Sequence, residues 1–226
     1  MVSIDSYDLL IFDWDGTLYD SVSPFYELIF DAEREFPHTR QGKSLKNNGL
    51  LTVLRQLLDQ DPTIQLNDIK ILLNMNGYGL FWKTELFQGI KYLLSELHRR
   101  ERKMALVTDR TQAEVMAELQ EAGIDQYFFA VMGSDQAPPK PNPSMLNAIL
   151  TLAECPPDKA LMLGDTALDM EMAILAGMPA IATAFTIPLN TTAHLAHLQL
   201  WRPQRLLRSV NELISVLLEQ DKLPQR

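Results

Sequence analysis

The chain has 226 residues, of which 46% are hydrophobic and 22% are charged, with 13 prolines and 10 glycines. This ordinary globular usage excludes disorder, collagen and a coiled coil as the main architecture. The 20 basic and 29 acidic residues give a net charge of −9, which argues against non-specific binding to a nucleic acid backbone. The length predicts one large domain, or a core that carries a smaller insert.

The cysteine content and the apolar segments bear on location. The single cysteine, Cys155, excludes an internal disulfide and suits a reducing compartment, so we expect a cytoplasmic protein. Nothing in the sequence demands more than a monomer. No basic region precedes the first apolar stretch, so we expect no signal peptide. Residues 172–201 lack Asp, Glu, Lys and Arg over a length that would allow a membrane span. Because Gly177, Pro179 and Pro188 interrupt this stretch, we interpret it as helix, strand and loop, with no membrane contact.

Short apolar runs that alternate with helical patterns predict an α/β fold. The runs cover residues 9–12, 104–107, 128–132 and 160–163, with a weaker one at 180–184. Each is near strand length and apolar at successive positions, which is typical of a parallel sheet covered by helices on both faces.

Helical patterns fall between these predicted strands. Apolar residues repeat at helical spacing over residues 90–97 and 115–122, and Gly123 stands where a helix C-terminal glycine belongs. Asn142 and Pro143 predict an N-cap and a first helical residue. An amphipathic helix is expected over residues 206–218.

The interval between the first two strands is far longer than an ordinary crossover. Its apolar spacing is helical, so we predict a small α-helical insert over residues 22–85. The catalytic core would then comprise residues 1–21 and 86–226.

Acidic residues end the first predicted strand in the sequence Asp13-Trp14-Asp15-Gly16-Thr17. Two carboxylates held near a cation can divide the work of a reaction, one attacking and one moving protons. Ligands of open α/β sheets bind at the carboxyl ends of the strands, where this cluster lies. Trp14, between the two acids, should point away into the sheet packing.

Other polar residues follow the later strands. Thr108 follows the second strand, where its hydroxyl can donate to an oxyanion, and Lys140 stands between prolines that fix the backbone around a cation. Asp165 and Asp169 follow the fourth strand and can present oxygen ligands of the kind that Mg²⁺ prefers.

The order of these motifs resembles the haloacid dehalogenase-like superfamily, specifically its phosphoglycolate phosphatase-like branch. The resemblance runs from about residue 9 to residue 184 and includes the segments at 13–21, 106–108, 140–143, 164–169 and 176–178. It implies a Rossmann-like core, an inserted α-helical cap and Mg²⁺-dependent transfer of a phosphoryl group through an aspartyl-phosphate. The substrate would be a small phosphorylated metabolite, hydrolysed as a phosphomonoester.

The resemblance also implies roles for individual residues. Asp13 would be the nucleophile and Asp15 the general acid and base, while Thr108 would bind phosphate. Lys140 would steady Asp13 and the phosphoryl charge. Asp165 would bind Mg²⁺ together with Asp13 and the main-chain carbonyl of Asp15.

Asp169 would bind the metal through a water molecule, or would pair with Lys140. Asp109 stands at a phosphate-binding position where relatives commonly carry Asn, and its carboxylate would repel phosphate unless Arg110 or Lys140 pairs with it. In the insert, Arg40 and Lys43 belong to a basic segment without acids. We expect this segment either to contact a second anionic group of the substrate or to be a solvated face.

Two alternatives to a phosphatase stay open on the sequence. A phosphomutase acting on a sugar phosphate would share every core residue and differ in how the cap excludes water. A catalytically silent binding protein on the same fold is disfavoured, because such proteins usually lack one of the motif acids, and all are present here.

Overall fold

The computed structural model describes residues 6–21, 23, 85–186 and 192–218. Almost all of the predicted insert lies outside the described residues, and so do Arg40 and Lys43.

Eight strands lie in the described part of the chain: β1 (Leu9–Asp13), β2 (Tyr19–Asp20), β3 (Glu85–Leu86), β4 (Lys103–Val107), β5 (Ala130–Met132), β6 (Ala160–Gly164), β7 (Ala180–Thr183) and β8 (Arg205–Leu207). Six of them form one parallel sheet in the order β5-β4-β1-β6-β7-β8. The predicted α/β fold is confirmed.

Among the described residues, six α-helices cover this sheet: α1 (Ile90–Arg99), α2 (Gln112–Ala122), α3 (Ser144–Ala153), α4 (Ala167–Leu175), α5 (Thr192–Leu200) and α6 (Val210–Leu218). Successive side chains of a strand point to opposite faces. Leu10 and Phe12 of β1 accordingly pack in one buried cluster with residues of α1, α2 and α6. Leu9 and Ile11 pack in the other cluster, with residues of α3, α4 and α5. The result is a three-layer core in which every residue of β1 is buried.

The structure differs from the sequence prediction near the C-terminus and at one helix start. Residues 205–207 form the edge strand β8, and the helix expected from residue 206 begins only at Val210. Helix α3 begins at Ser144, one residue later than predicted. Its N-cap is Pro143 rather than Asn142, although Asn142 Oδ1 accepts hydrogen bonds from the Ser144 amide at 3.0 Å and hydroxyl at 2.6 Å.

A separate antiparallel ribbon joins the two ends of the undescribed segment. Tyr19 pairs with Leu86, and Asp20 pairs with Glu85. The chain therefore leaves the core beside the point where it returns.

The stretch considered as a membrane span is divided among α4, β7 and α5 in its described part, as interpreted from the sequence. Within the described ranges, no helix has both the length and the apolar character needed to cross a membrane.

Candidate active site

The parallel register brings the predicted site residues to one edge of the sheet. Asp13 is level with Val107 of β4, so Thr108 follows directly beside it. On the other side, Phe12 pairs with Leu163, which places Gly164 and then Asp165 next to Asp13. Residues that are far apart in sequence meet here because β1 lies between β4 and β6.

Lys140 joins two acids of this edge. Its ammonium Nζ contacts Asp13 Oδ1 in a short ion pair and lies 2.7 Å from Asp169 Oδ1. The side chain of Lys140 is only 5% exposed, and those of Asp13 and Asp169 are 6% and 0% exposed. A buried ammonium between two carboxylates compensates their charge where water cannot.

Asp169 is held in place from its own helix. Thr166, the N-cap of α4, donates to Asp169 Oδ2 from its amide at 3.0 Å and from its hydroxyl at 2.7 Å. The Asp169 carboxylate also lies against Gly164, where a Cβ would overlap it. Both carboxylate oxygens of Asp169 therefore have defined neighbours, Thr166 for one and Lys140 for the other.

Asp165 is buried beside these groups without a comparable partner. It is 3% exposed, and its Oδ1 has no hydrogen-bond partner among the described residues. Gly16 turns with a φ of 79°, and a Cβ at this position would overlap the Asp165 carboxylate. The absence of a side chain at Gly16 lets the first loop approach Asp165 closely.

The acids fit a divalent cation. Oxygen atoms of Asp13, Asp165 and Asp169 all lie within 4.8 Å of one another. Three buried carboxylates face one ammonium, and the buried Oδ1 of Asp165 lacks a hydrogen bond within the described ranges. An all-oxygen donor set of this kind suits a hard metal ion.

Burial dominates the electrostatics of the cluster. It raises the pKa of Asp13 from an ordinary 3.8 to about 8, against the attraction of Lys140. Burial, with Asp13 as a charged neighbour, also raises the pKa of Asp165 well above its ordinary value. Burial alone would lower the pKa of Lys140, but the acids around it outweigh that effect and hold the pKa above its usual range. A cation beside the acids would favour their ionised forms.

Thr108 and Asp109 lie at the carboxyl end of β4. The Thr108 hydroxyl oxygen accepts from the Arg110 amide at 3.2 Å, so its own hydrogen remains available for donation. Asp109 Oδ1 accepts from the main-chain amide of Lys140 at 2.9 Å. Of the two partners considered for Asp109, Lys140 thus supplies a backbone contact. Burial raises the pKa of Asp109 despite the attraction of the Lys140 charge.

Arg110 belongs to a set of contacts that sequence reasoning missed. Its Nη1 and Nη2 each lie 2.8 Å from a carboxylate oxygen of Glu118 on α2, and Nη1 is 3.7 Å from Asp15 Oδ1. Trp14 points into the core as predicted, stacks on Tyr19, and donates from Nε1 to Glu118 at 2.7 Å. The one clue in the sequence is that Glu118 directly precedes Leu119, a core position of an amphipathic helix.

The structure therefore brings Asp13, Lys140, Asp165 and Asp169 into one buried cluster. Thr108 and Asp109 flank it, and the Asp15 side chain faces Arg110.

Comparisons with known proteins identify a family and several similar chains. The sequence profile of the haloacid dehalogenase-like hydrolases matches residues 10–183. A phosphoglycolate phosphatase of Vibrio vulnificus (strain CMCP6) is 33% identical over 182 residues, which cover 75% of this chain and 80% of the relative.

Two solved structures are similar in fold. A haloacid dehalogenase-like hydrolase from Streptococcus pneumoniae superposes with a TM-score of 0.61 at 20% identity, covering 93% of this chain and 98% of the other. A candidate β-phosphoglucomutase from Thermotoga maritima superposes with a TM-score of 0.64 at 21% identity, covering 95% of this chain and 99% of the other.

The profile spans most of the chain, and it includes the three strands whose ends carry the acids and Thr108. The alignment with the Vibrio relative likewise covers three quarters of the chain at 33% identity. The chain therefore belongs to the haloacid dehalogenase-like hydrolase family, in its phosphoglycolate phosphatase-like branch.

Proposed function

We propose that the chain is a Mg²⁺-dependent phosphatase that hydrolyses a small phosphomonoester through an aspartyl-phosphate on Asp13. The observation that carries the proposal is the buried contact of Asp13 with Lys140, within a cluster that also holds Asp165 and Asp169. A carboxylate nucleophile divides a difficult hydrolysis into two easier steps.

In the first step, a carboxylate oxygen of Asp13 attacks phosphorus, and the bond to the ester oxygen breaks. Asp15 gives its proton to that oxygen, which leaves as an alcohol. Lys140 stabilises the negative charge shared between Asp13 and the transferring group, because its ammonium is fixed between two acids.

In the second step, water attacks the phosphorus of the aspartyl-phosphate. Asp15, now ionised, takes a proton from that water, and the bond to Asp13 breaks. Inorganic phosphate leaves, Asp13 returns as a carboxylate, and Asp15 is again protonated. The same side chain thus acts as acid and then as base.

The metal would be held by Asp13, Asp165 and the main-chain carbonyl of Asp15. Asp169 would bind it through a water molecule, or would pair with Lys140. When bound, Mg²⁺ supplies positive charge that neutralises the phosphoryl oxygens. Two observations support this assignment: the donor set is all oxygen, and the buried Asp165 Oδ1 has no hydrogen-bond partner among the described residues.

Thr108 and Asp109 would bind the phosphoryl group from the neighbouring strand. The Thr108 hydroxyl hydrogen is free to donate, since its oxygen is the atom that receives the Arg110 amide. Asp109 would contribute mainly through its backbone, because its carboxylate is engaged with Lys140.

The insert at residues 22–85 would act as a cap over the catalytic core of residues 1–21 and 86–226. The pairing of Asp20 with Glu85 supports an inserted unit. Since the core handles only the phosphoryl group, the insert would recognise the rest of the substrate. Arg40 and Lys43 would contact a second anionic group, such as the carboxylate of 2-phosphoglycolate, the substrate named for several relatives.

The test is a phosphate-release screen over small phosphorylated metabolites with Mg²⁺. It should include 2-phosphoglycolate and several hexose phosphates, with chromatographic analysis of the products. We expect stoichiometric release of phosphate, lost on chelation of the metal and in Asp13→Asn. An isomerised hexose phosphate formed without phosphate release would identify a mutase and contradict the proposal.

A further inference from the structure

Arg110 is a charged side chain beside the proposed active site that the reaction scheme above does not use. Its side chain is 17% exposed, and both of its terminal nitrogens contact Glu118, whose side chain is 22% exposed. Paired hydrogen bonds between a guanidinium and a carboxylate fix direction as well as distance. Arg110 is therefore held in one orientation, and in that orientation Nη1 lies 3.7 Å from Asp15 Oδ1.

Glu118 connects this arginine to Trp14, the residue that follows the first strand. The oxygen of Glu118 that accepts from Arg110 Nη1 also accepts from Trp14 Nε1. Trp14 is fully buried and directly precedes Asp15 in the chain. A continuous path of contacts thus starts at Trp14, directly after β1, passes through Glu118 and Arg110, and returns to Asp15.

The charge of Arg110 is secure. Burial lowers the pKa of its guanidinium, but the hydrogen bonds to Glu118 and the charges of Asp15 and Glu118 outweigh burial and raise it. The side chain is thus a permanent cation. With both terminal nitrogens engaged by Glu118, it is poorly placed to bind a substrate phosphate in the paired manner that arginine favours.

We infer that Arg110, oriented by Glu118 and Trp14, is a positioning residue that holds the Asp15 carboxylate in line for proton transfer. The inference rests on the proposed function, in which Asp15 exchanges protons with the ester oxygen and with water. Proton transfer needs donor and acceptor within hydrogen-bond reach, so freedom of Asp15 would slow turnover more than it would weaken binding.

The experiment is a double-mutant cycle between Arg110 and Asp15, measured as phosphate release from phenyl phosphate with Mg²⁺. Arg110→Met keeps an unbranched apolar side chain at this position and removes the charged guanidinium. We expect kcat to fall by about 10- to 100-fold, with KM changed by less than about threefold. Arg110→Lys should recover part of kcat. In the Asp15→Asn background, Arg110→Met should have little further effect, because the group that it positions is already gone.

Arg99 provides a matched control. It also pairs with a glutamate, with Nη2 lying 2.7 Å from Glu96 Oε2, but the pair is on the outer surface of α1. Arg99→Met should leave kcat and KM unchanged. Glu118→Gln offers a second route to the same effect should Arg110→Met fail to fold, and we expect it to lower kcat in part.

The outcomes distinguish failure of the positioning role of Arg110 from failure of the proposed role of Asp15. If the fold-decreases in kcat of Arg110→Met and Asp15→Asn multiply in the double variant, the positioning role is overturned. A rise in KM with kcat unchanged would also overturn it, since that result would indicate contact with the substrate. If Asp15→Asn alone leaves turnover unchanged, the proposed role of Asp15 fails, and the inference with it. A near-zero Arg110 effect in wild type, with Asp15→Asn inactive, overturns the inference alone.

Discussion

At the scale of single residues, the candidate site is a balance between buried charges. Asp13, Asp165 and Asp169 contribute three carboxylates, and Lys140 contributes one ammonium, all shielded from water. Burial of a charge without compensation is expensive. We therefore expect the ionised forms of these acids to depend strongly on Lys140 and on a bound cation.

Asp13→Asn tests the nucleophile. The amide preserves the shape of the side chain, so the fold should persist, while the covalent route is lost. We expect turnover to fall by about three orders of magnitude or more, measured as phosphate release from protein purified free of the wild type. Near-normal turnover in a folded preparation would contradict the assignment of Asp13.

Gly16→Ala tests the close approach of the first loop to Asp165. A methyl group would overlap the Asp165 carboxylate, and a φ of 79° is itself strained for alanine by about 1–2 kcal/mol. We expect both a lower melting temperature and a strong loss of Mg²⁺-dependent activity.

Gly123→Ala is the matched control for this glycine. Gly123 has a φ of 64°, but its nearest neighbour for an added Cβ is Lys91 Nζ at 3.8 Å. This variant has the strain of a positive φ without the overlap, so it should lose some stability and keep its activity. Equal loss of activity in both variants would mean that stability alone is responsible.

Several of these residues could be predicted from the sequence, and others could not. The ends of apolar runs located Asp13, Thr108 and Asp165, because parallel strands bring their carboxyl ends together. The link from Glu118 to Arg110 has no comparable signal. It depends on the directions of two long side chains from different elements, and no spacing in the sequence specifies those directions.

At the scale of elements, the start of α4 links helix stability to the site. Thr166 and Asp169 form a capping box in which each side chain accepts from the other residue's amide. Asp169 also pairs with Lys140 through its second oxygen. The same acid therefore serves the helix end and the charge cluster.

Thr166→Val should disturb both functions of Asp169. Loss of an N-cap commonly costs about 1 kcal/mol of stability. Without the Thr166 hydroxyl, the Asp169 carboxylate is less firmly held and should shift Lys140, its ion-pair partner. Activity should therefore fall as well. Ser209→Ala provides the control, because Ser209 Oγ accepts from the Glu212 amide at the start of α6. Thermal melts and phosphate release should show lower stability in both variants, but lost activity only in Thr166→Val.

The insert carries the prediction about substrate choice. Charge reversal at Arg40 or Lys43 should raise KM for a substrate with a second anion, while KM for an aryl phosphate should change little. Because exposed charges are screened over about 8–10 Å at physiological salt, added salt should reduce the difference. Equal effects on both substrates would instead indicate a role of the segment in folding or in closure of the cap.

Prediction of elements succeeded where strands are apolar and central. The runs at 9–12, 104–107 and 160–163 match β1, β4 and β6 because helices cover both sheet faces. The two-residue strands β2 and β3 have no apolar run to detect. The sequence predicts a helix where β8 lies, because Leu206 and Leu207 extend the apolar pattern of α6.

At the scale of the whole molecule, the buried acids connect folding to pH and metal. The Asp13 pKa of about 8 lies above its ordinary 3.8, so between these values the folded protein keeps a proton that the unfolded chain releases. This stabilising contribution is complete below about pH 4 and is lost as the pH rises through about 8. Metal-free protein should therefore lose this contribution as the solution becomes alkaline.

Mg²⁺ should reverse that trend. The ion competes with protons for the carboxylates, so the rise in melting temperature that it produces should be larger at pH 8 than at pH 6. Asp13→Asn should show a smaller rise and a weaker dependence on pH. A stabilisation by Mg²⁺ that is equal at both pH values would contradict the link between Asp13 and the metal.

The ribbon of β2 and β3 has a further consequence for the history of such a chain. Since Asp20 and Glu85 are hydrogen-bonded neighbours, whatever connects them can change in length without altering the strand order of the sheet. Closing a longer connection costs little additional entropy, about 0.6 kcal/mol for each doubling. If the insert recognises the substrate as proposed, recombination at this junction would exchange one insert for another and change the range of substrates, while the strands of the core stay in place.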